Sequence, residues 1–169
     1  MLTPNQEKYL LTIPEDKVTK IFPFNPKSWQ IAEKVIEHIH QVFPNLEVLF
    51  IGAAALGVSG QNDLDINILC PIEDFDKYCP GLTKIFGKPA VKGTSIKWSF
   101  TRGEYEIELY LTDPENPSFQ EQVKVFNLLS DNPELLKEYE ELKKACDGIA
   151  FREYQKRKYE FYNRILGQT

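Results

Sequence analysis

The strongest constraint on the fold of this chain is a short run of strict alternation. From Asp63 to Cys70, Leu64, Ile66 and Ile68 fall on one side of an extended backbone and Asp63, Asp65 and Asn67 on the other. A second stretch repeats the pattern as a hairpin. In Ser95 to Thr101, Ile96, Trp98 and Phe100 alternate with Lys97 and Ser99; Arg102-Gly103 supplies the turn; and in Glu104 to Leu111, Tyr105, Ile107, Leu109 and Leu111 alternate with Glu104, Glu106, Glu108 and Tyr110. Such strands build a sheet with one apolar face, which must be covered by something else. Leu46 to Ile51 reads as a further, buried strand, and Gly52 to Asn62 as a small-residue loop.

Helices supply the cover. After an irregular start, Asn25 and Ser28 offer N-caps for a helix on which Ile31, Ala32, Val35, Ile36, Ile39 and Phe43 share one side, ending before Pro44. Phe75, Tyr78, Leu82 and Ile85 predict a short helix within Ile72 to Phe86 despite Pro80. Three more helices are expected to close the chain, near Ser118 to Leu129, Pro133 to Cys146 with Asn132 as its cap, and Phe151 to Leu166. The expected class is α/β in the α+β sense, a sheet packed with helices and followed by a helical C-terminal part.

At 169 residues, 42% of them apolar, the chain suffices for one sizeable core, so residues 1–169 are expected to form one domain, with an α/β core over 25–112 and packed helices over 117–167. Twenty basic against 25 acidic residues give a net charge of −5, which opposes attraction to polyanions, so nucleic acid is not the expected partner. No apolar run approaches the ~20 residues of a membrane span, and Met1 to Lys8 does not resemble a secretory signal; a cytoplasmic protein is expected. Cys70, Cys79 and Cys146 are widely spaced, and His38 and His40, two apart on a helix, point in different directions, so neither a disulfide framework nor a zinc site is expected.

The chemistry lies on the polar sides of the strands. Asp63 and Asp65 stand about two rises of 3.3 Å apart on one face, within reach of a single hard cation. Glu106 and Glu108 repeat that arrangement. If their strand lies beside Asp63 to Cys70, three or four carboxylates converge on a patch that repels itself unless cations intervene, the arrangement of a magnesium site for phosphoryl chemistry. An ordinary solvated sheet face would show the same alternation.

Gly52-Ala53, nine residues, then Asp63-Leu64-Asp65 after a buried strand resembles the signature of the nucleotidyltransferase superfamily. The resemblance narrows to its GrpB-like branch through Trp29, through Asn132-Pro133-Glu134-Leu135 with Tyr139 and Leu142-Lys143, and through Tyr154, Lys158, Phe161 and Ile165-Leu166. It implies a nucleotidyltransferase-type mixed sheet. It further implies that Asp63 and Asp65 ligate magnesium or manganese and that Glu108, or alternatively Glu106, is the third carboxylate. The reaction implied is transfer of a nucleotidyl group from a nucleoside triphosphate to an acceptor hydroxyl on a small molecule or protein.

Gly52 and the loop through Gly57, Ser59 and Gly60 would cradle phosphate with backbone N–H groups. Ala53 stands where the family's loop carries a serine, and Ser59 is the candidate to replace that hydroxyl. Tyr154, Lys158, Phe161 and Ile165 share a helical face, so Lys158 either reaches the phosphates or lays its stem over the core with its ammonium in water. Lys97 is a weaker phosphate candidate. The rival expectation is a nucleotide- or phosphate-binding module of the same fold that has lost turnover; an interaction subunit is a third.

Overall fold

The structure, a computed structural model, describes residues 1–167; the last two positions of the expected 1–169 unit lie outside the described residues. It is a mixed α+β fold around one five-stranded sheet. In chain order the elements are α1 (Pro4–Thr12), α2 (Lys27–Val42), β1 (Glu47–Ile51), a single turn α3 (Gly52–Ala55), β2 (Asp63–Leu69), a 3-10 turn at Ile72–Asp74, α4 (Phe75–Phe86), β3 (Val91–Lys92), β4 (Ser95–Arg102), β5 (Tyr105–Thr112), α5 (Pro117–Asp131), α6 (Pro133–Ala145) and α7 (Phe151–Ile165). The sheet runs β1-β2-β5-β4-β3. β2 and β5 are parallel, and every other neighbouring pair is antiparallel.

The parallel pair exists because the hairpin returns its second strand to the free side of β2. Its register opposes Asp63 to Glu106, Asp65 to Glu108 and Asn67 to Tyr110. Burial fixes that register. Leu64, Ile66, Ile68, Ile107, Leu109 and Leu111 are all fully buried, in one cluster with Ala32, Val35 and Ile39 of α2 and Phe75, Cys79 and Leu82 of α4. Each such aliphatic side chain contributes about 2 kcal/mol on burial, and a one-residue slip of either strand would turn three of them out and its carboxylates in. Trp98 belongs to the same core, and its indole N–H donates to the Gly87 carbonyl at 2.9 Å, tying the end of α4 to the sheet.

The opposite, polar side faces the C-terminal helices. Val125, Leu129, Tyr139 and Phe161 form a second cluster with Val58, against which Ala53 and Leu56 also pack, so α5, α6 and α7 are seated on the segment that follows β1. Asn116 and Asn132 cap α5 and α6, each accepting two backbone N–H groups through its side chain.

Three expectations are corrected. The start of the chain is not irregular: Thr3 and Gln6 form a reciprocal capping box with Pro4 at the first helical position, and α1 packs on α7 through a cluster of Leu10, Ile13, Cys146, Phe151 and Tyr154. Neither Ser28 nor Asn25 is the N-cap of α2: Pro26 holds that position without a side-chain cap, Ser28 is buried within the helix, and Asn25 accepts from the Lys27 N–H at 3.0 Å in the turn that precedes it. The stretch after β1 opens with a helical turn rather than a loop throughout.

Candidate active site

Asp63 and Asp65 project from the same face of β2, and Glu108 stands directly across from Asp65 on β5, one interstrand spacing of about 4.8 Å away in backbone terms. Of the two glutamates the sequence leaves open, Glu106 is exposed, while Glu108 is partly buried and acts electrostatically on both Asp65 and Lys158. Both Glu108 oxygens have partners: Oε1 receives the Lys97 ammonium at 2.7 Å and Oε2 the Tyr110 hydroxyl at 2.8 Å. Lys97 reaches it because β4 sets Lys97 opposite Tyr110 and Ser99 opposite Glu108.

Gly52 closes the site from behind. Its φ of +88° lies where side chains are disfavoured, and a Cβ there would run into the Asp65 carboxylate. The chain therefore brings bare backbone against the acid, which only glycine permits.

Helices α6 and α7 form the far wall. Lys158 lies within electrostatic reach of Asp63, Asp65 and Glu108, with its ammonium 5.6 Å from the centre of the Tyr154 ring. Lys143, one turn beyond Tyr139 on α6, is buried, and its ammonium donates to the Tyr154 hydroxyl at 3.1 Å and the Tyr139 hydroxyl at 3.5 Å. The hydroxyls of Tyr139 and Tyr162 share a hydrogen bond of 2.8 Å. Burial, then the negative charges of Asp63 and Glu108, push the Asp65 carboxyl up to about 8 despite Lys158 and Lys143. Burial and the neighbouring Lys143 push Lys158 down to about 8, against the pull of the three acids. The phenols of Tyr110, Tyr139 and Tyr162 are held protonated, chiefly by burial.

The sequence matches the GrpB protein family over residues 19–168. The chain belongs to the GrpB family. Its fold is similar to that in the crystal structure of the conserved protein GrpB from Enterococcus faecalis, with a TM-score of 0.68 at 16% identity, covering 88% of this chain and 98% of that one. A chain of the GLD-2/RNP-8 complex is similar at a TM-score of 0.40 and 13% identity, covering 79% of this chain and 59% of that one. No curated protein matches the chain.

Within this GrpB-family chain, most of the expected phosphate cradle is committed elsewhere. The N–H of Gly57 donates to Ala54, that of Val58 to Ala53, and that of Gly60 to Phe22, whose own N–H returns to the Gly60 carbonyl. Ser59 is buried and gives its hydroxyl to Glu140 Oε1 at 3.1 Å, so it does not stand in for the serine absent at Ala53. Ala53 itself packs beside Val58 and Gly60. The loop braces the helical layer, and only Gly52 keeps its place beside Asp65.

Among the described residues, no three Asp, Glu, His or Cys side chains are gathered as ligands of one metal ion. The chemistry of Asp63 and Asp65 nevertheless fits a hard divalent cation: two carboxylates on one face, neither within 4.0 Å of a basic group, with ionisation of Asp65 opposed by its surroundings. Glu108 is already neutralised by Lys97, so its carboxylate fits such an ion only if that ammonium moves.

A pH dependence follows for metal-free protein. Between the ordinary 3.8 and about 8, folded Asp65 retains a proton that the unfolded chain has released, so its contribution to stability falls as pH rises through that window and is flat above it. Lys158 acts oppositely, since from about 8 to 10.5 the unfolded chain holds the proton and stability rises with pH. In urea melts with chelator present, the stability of the native chain minus that of Asp65→Asn is expected to decline from pH 4 to 8 and then level; a difference independent of pH would contradict the electrostatic account.

Lys143 is the residue the sequence reading passed over as a site group. Its signal was present: a lysine four residues after Tyr139 and directly after Leu142, on the side of α6 that faces the core.

Proposed function

We propose that this chain is a divalent-cation-dependent nucleotidyltransferase, moving a nucleotidyl group from a nucleoside triphosphate to a hydroxyl of a small molecule or protein in the cytoplasm. The observation that carries the reading is the parallel register that sets Asp65 against Glu108, with Asp63 on the same face and the bare Gly52 backbone behind. Asp63 and Asp65 would hold magnesium or manganese, which when bound supplies charge stabilisation for in-line displacement at phosphorus.

The protein's own groups do the remainder. Gly52 lets the acidic pair sit against backbone without a side chain intervening. Glu108, oriented by Lys97 and Tyr110, is the carboxylate placed to take the proton of an attacking hydroxyl. Lys158, electrostatically coupled to the three acids, offers positive charge to the phosphates. The helical wall and its tyrosines limit water, which strengthens every charge interaction inside.

A second reading, a nucleotide- or phosphate-binding module of the same fold without turnover, is favoured by Ala53 in place of the serine and by the engaged Glu108 oxygens. Calorimetric titration with each nucleoside triphosphate, with and without magnesium, tests what the two share, and pyrophosphate release in a metabolite extract separates them. Metal-dependent binding with Asp65-dependent release is the expected result. Metal-dependent binding without release would establish the second reading, and no binding in any combination would contradict both.

A further inference from the structure

Lys143 is 4% exposed, yet none of its hydrogen-bond partners is an acid. Its ammonium is held by two neutral tyrosine hydroxyls and lies 5.0 Å from the Tyr139 ring centre and 5.8 Å from that of Tyr154. Buried ammonium groups are ordinarily paired with a carboxylate, because neutral hydroxyls replace only part of the hydration lost. Beside it stands Lys158, half-buried and close enough for the two positive charges to oppose one another.

Neither lysine is a simple counter-ion of the acids. Lys97 shows what one looks like here, 2.7 Å from Glu108 Oε1, whereas no carboxylate comes within 4.0 Å of Lys143 or Lys158 among the described residues. The sheet and the helices thus each present two like groups with no ion-pair partner among the described residues: the carboxyls of Asp63 and Asp65, and the amines of Lys143 and Lys158. A negative group between the lysines and a cation between the aspartates would satisfy both, and a metal-bound polyphosphate carries both in one ligand.

We infer that Lys143 and Lys158 form an anion subsite on α6 and α7, taking the polyphosphate end of the donor while Asp63 and Asp65 take its cation. This rests on the phosphoryl-transfer reading above and adds Lys143 to it. The hydroxyls of Tyr139 and Tyr154 hold the Lys143 ammonium in place, and rotating hydroxyls can redirect their own protons when an anion arrives.

The test is calorimetric titration of the full chain with inorganic triphosphate and magnesium, together with thermal melts. Lys143→Met is expected to weaken binding about ten- to a hundredfold, the loss that accompanies removal of a charge-assisted hydrogen bond. Lys144→Met, which removes the same charge from an exposed neighbour paired with Glu140, is expected to bind as the native chain does. Without ligand, Lys143→Met is expected to melt no lower than the native chain, because it removes a buried charge lacking an acidic partner. At one and the same concentration, inorganic triphosphate should raise the melting temperature of the native chain more than that of Lys143→Met.

If Lys143→Met does not fold, Lys143→Gln, uncharged but able to hydrogen-bond the tyrosines, reads the same quantities. Unchanged triphosphate affinity in the folded variant would overturn the subsite and leave the transferase reading standing. Absence of triphosphate binding by the native chain would overturn both.

Discussion

Asp65→Asn is expected to abolish the proposed metal-dependent nucleotidyl transfer while leaving the protein folded, and at pH 8 more stable than the native chain without metal. The two halves of this prediction share a cause. Asp65 sits against Asp63 and Glu108 in surroundings that oppose its charge, which makes it costly to the metal-free protein and apt for binding a cation. The amide keeps the shape and removes the charge. Loss of a carboxylate ligand at a catalytic cation costs several kcal/mol of transition-state stabilisation, or about two to three powers of ten in rate. Pyrophosphate release and urea melts on the same preparation check both halves. A variant that is inactive and also markedly less stable would show that Asp65 serves the fold, not the site.

Gly52→Ala is the second large effect. Two separate penalties meet at this position: the φ of +88°, which costs a non-glycine residue about 1–3 kcal/mol, and collision of the new methyl with the Asp65 carboxylate. The variant is expected to lose stability by at least the first amount and, because the carboxylate must swing away, to bind manganese at least tenfold more weakly, a difference of about 1.4 kcal/mol. Truncating the acid separates the terms. In the background of Asp65→Ala the collision is gone and only the backbone strain remains, so the cost of Gly52→Ala should shrink without vanishing. An equal cost in both backgrounds would mean that the glycine does not serve Asp65.

The sheet was legible in the sequence because period-two burial is a strong signal. Leu64, Ile66 and Ile68 on one strand and Ile107, Leu109 and Leu111 on the other left one way to face the core, and the carboxylates followed from that. Pairing β2 directly with β5 in parallel was not derivable from alternation, which says which way side chains point and not which strand is the neighbour. The start of the chain was misread because its apolar content is sparse; the Thr3–Gln6 capping box was the available signal.

The phosphate cradle was read too generously for a different reason. Small residues at Gly57 and Gly60 permit close backbone approach, but sequence does not say by what, and here it is Trp29 and Phe24 against Gly57 and the Phe22 backbone against Gly60. Lys158 was visible as a charge within an apolar stripe. Lys143 was visible only as a lysine one turn after Tyr139; its second partner, Tyr154, comes from the next helix, and only tertiary packing brings it there.

The most direct test is crystallographic: the protein soaked with manganese and a non-hydrolysable nucleoside triphosphate, with the metal located by its anomalous scattering. The account predicts a metal peak between the Asp63 and Asp65 carboxylates, with phosphate density extending from it toward Lys158 and Lys143. A peak elsewhere, or nucleotide bound away from the paired strands β2 and β5, would contradict it.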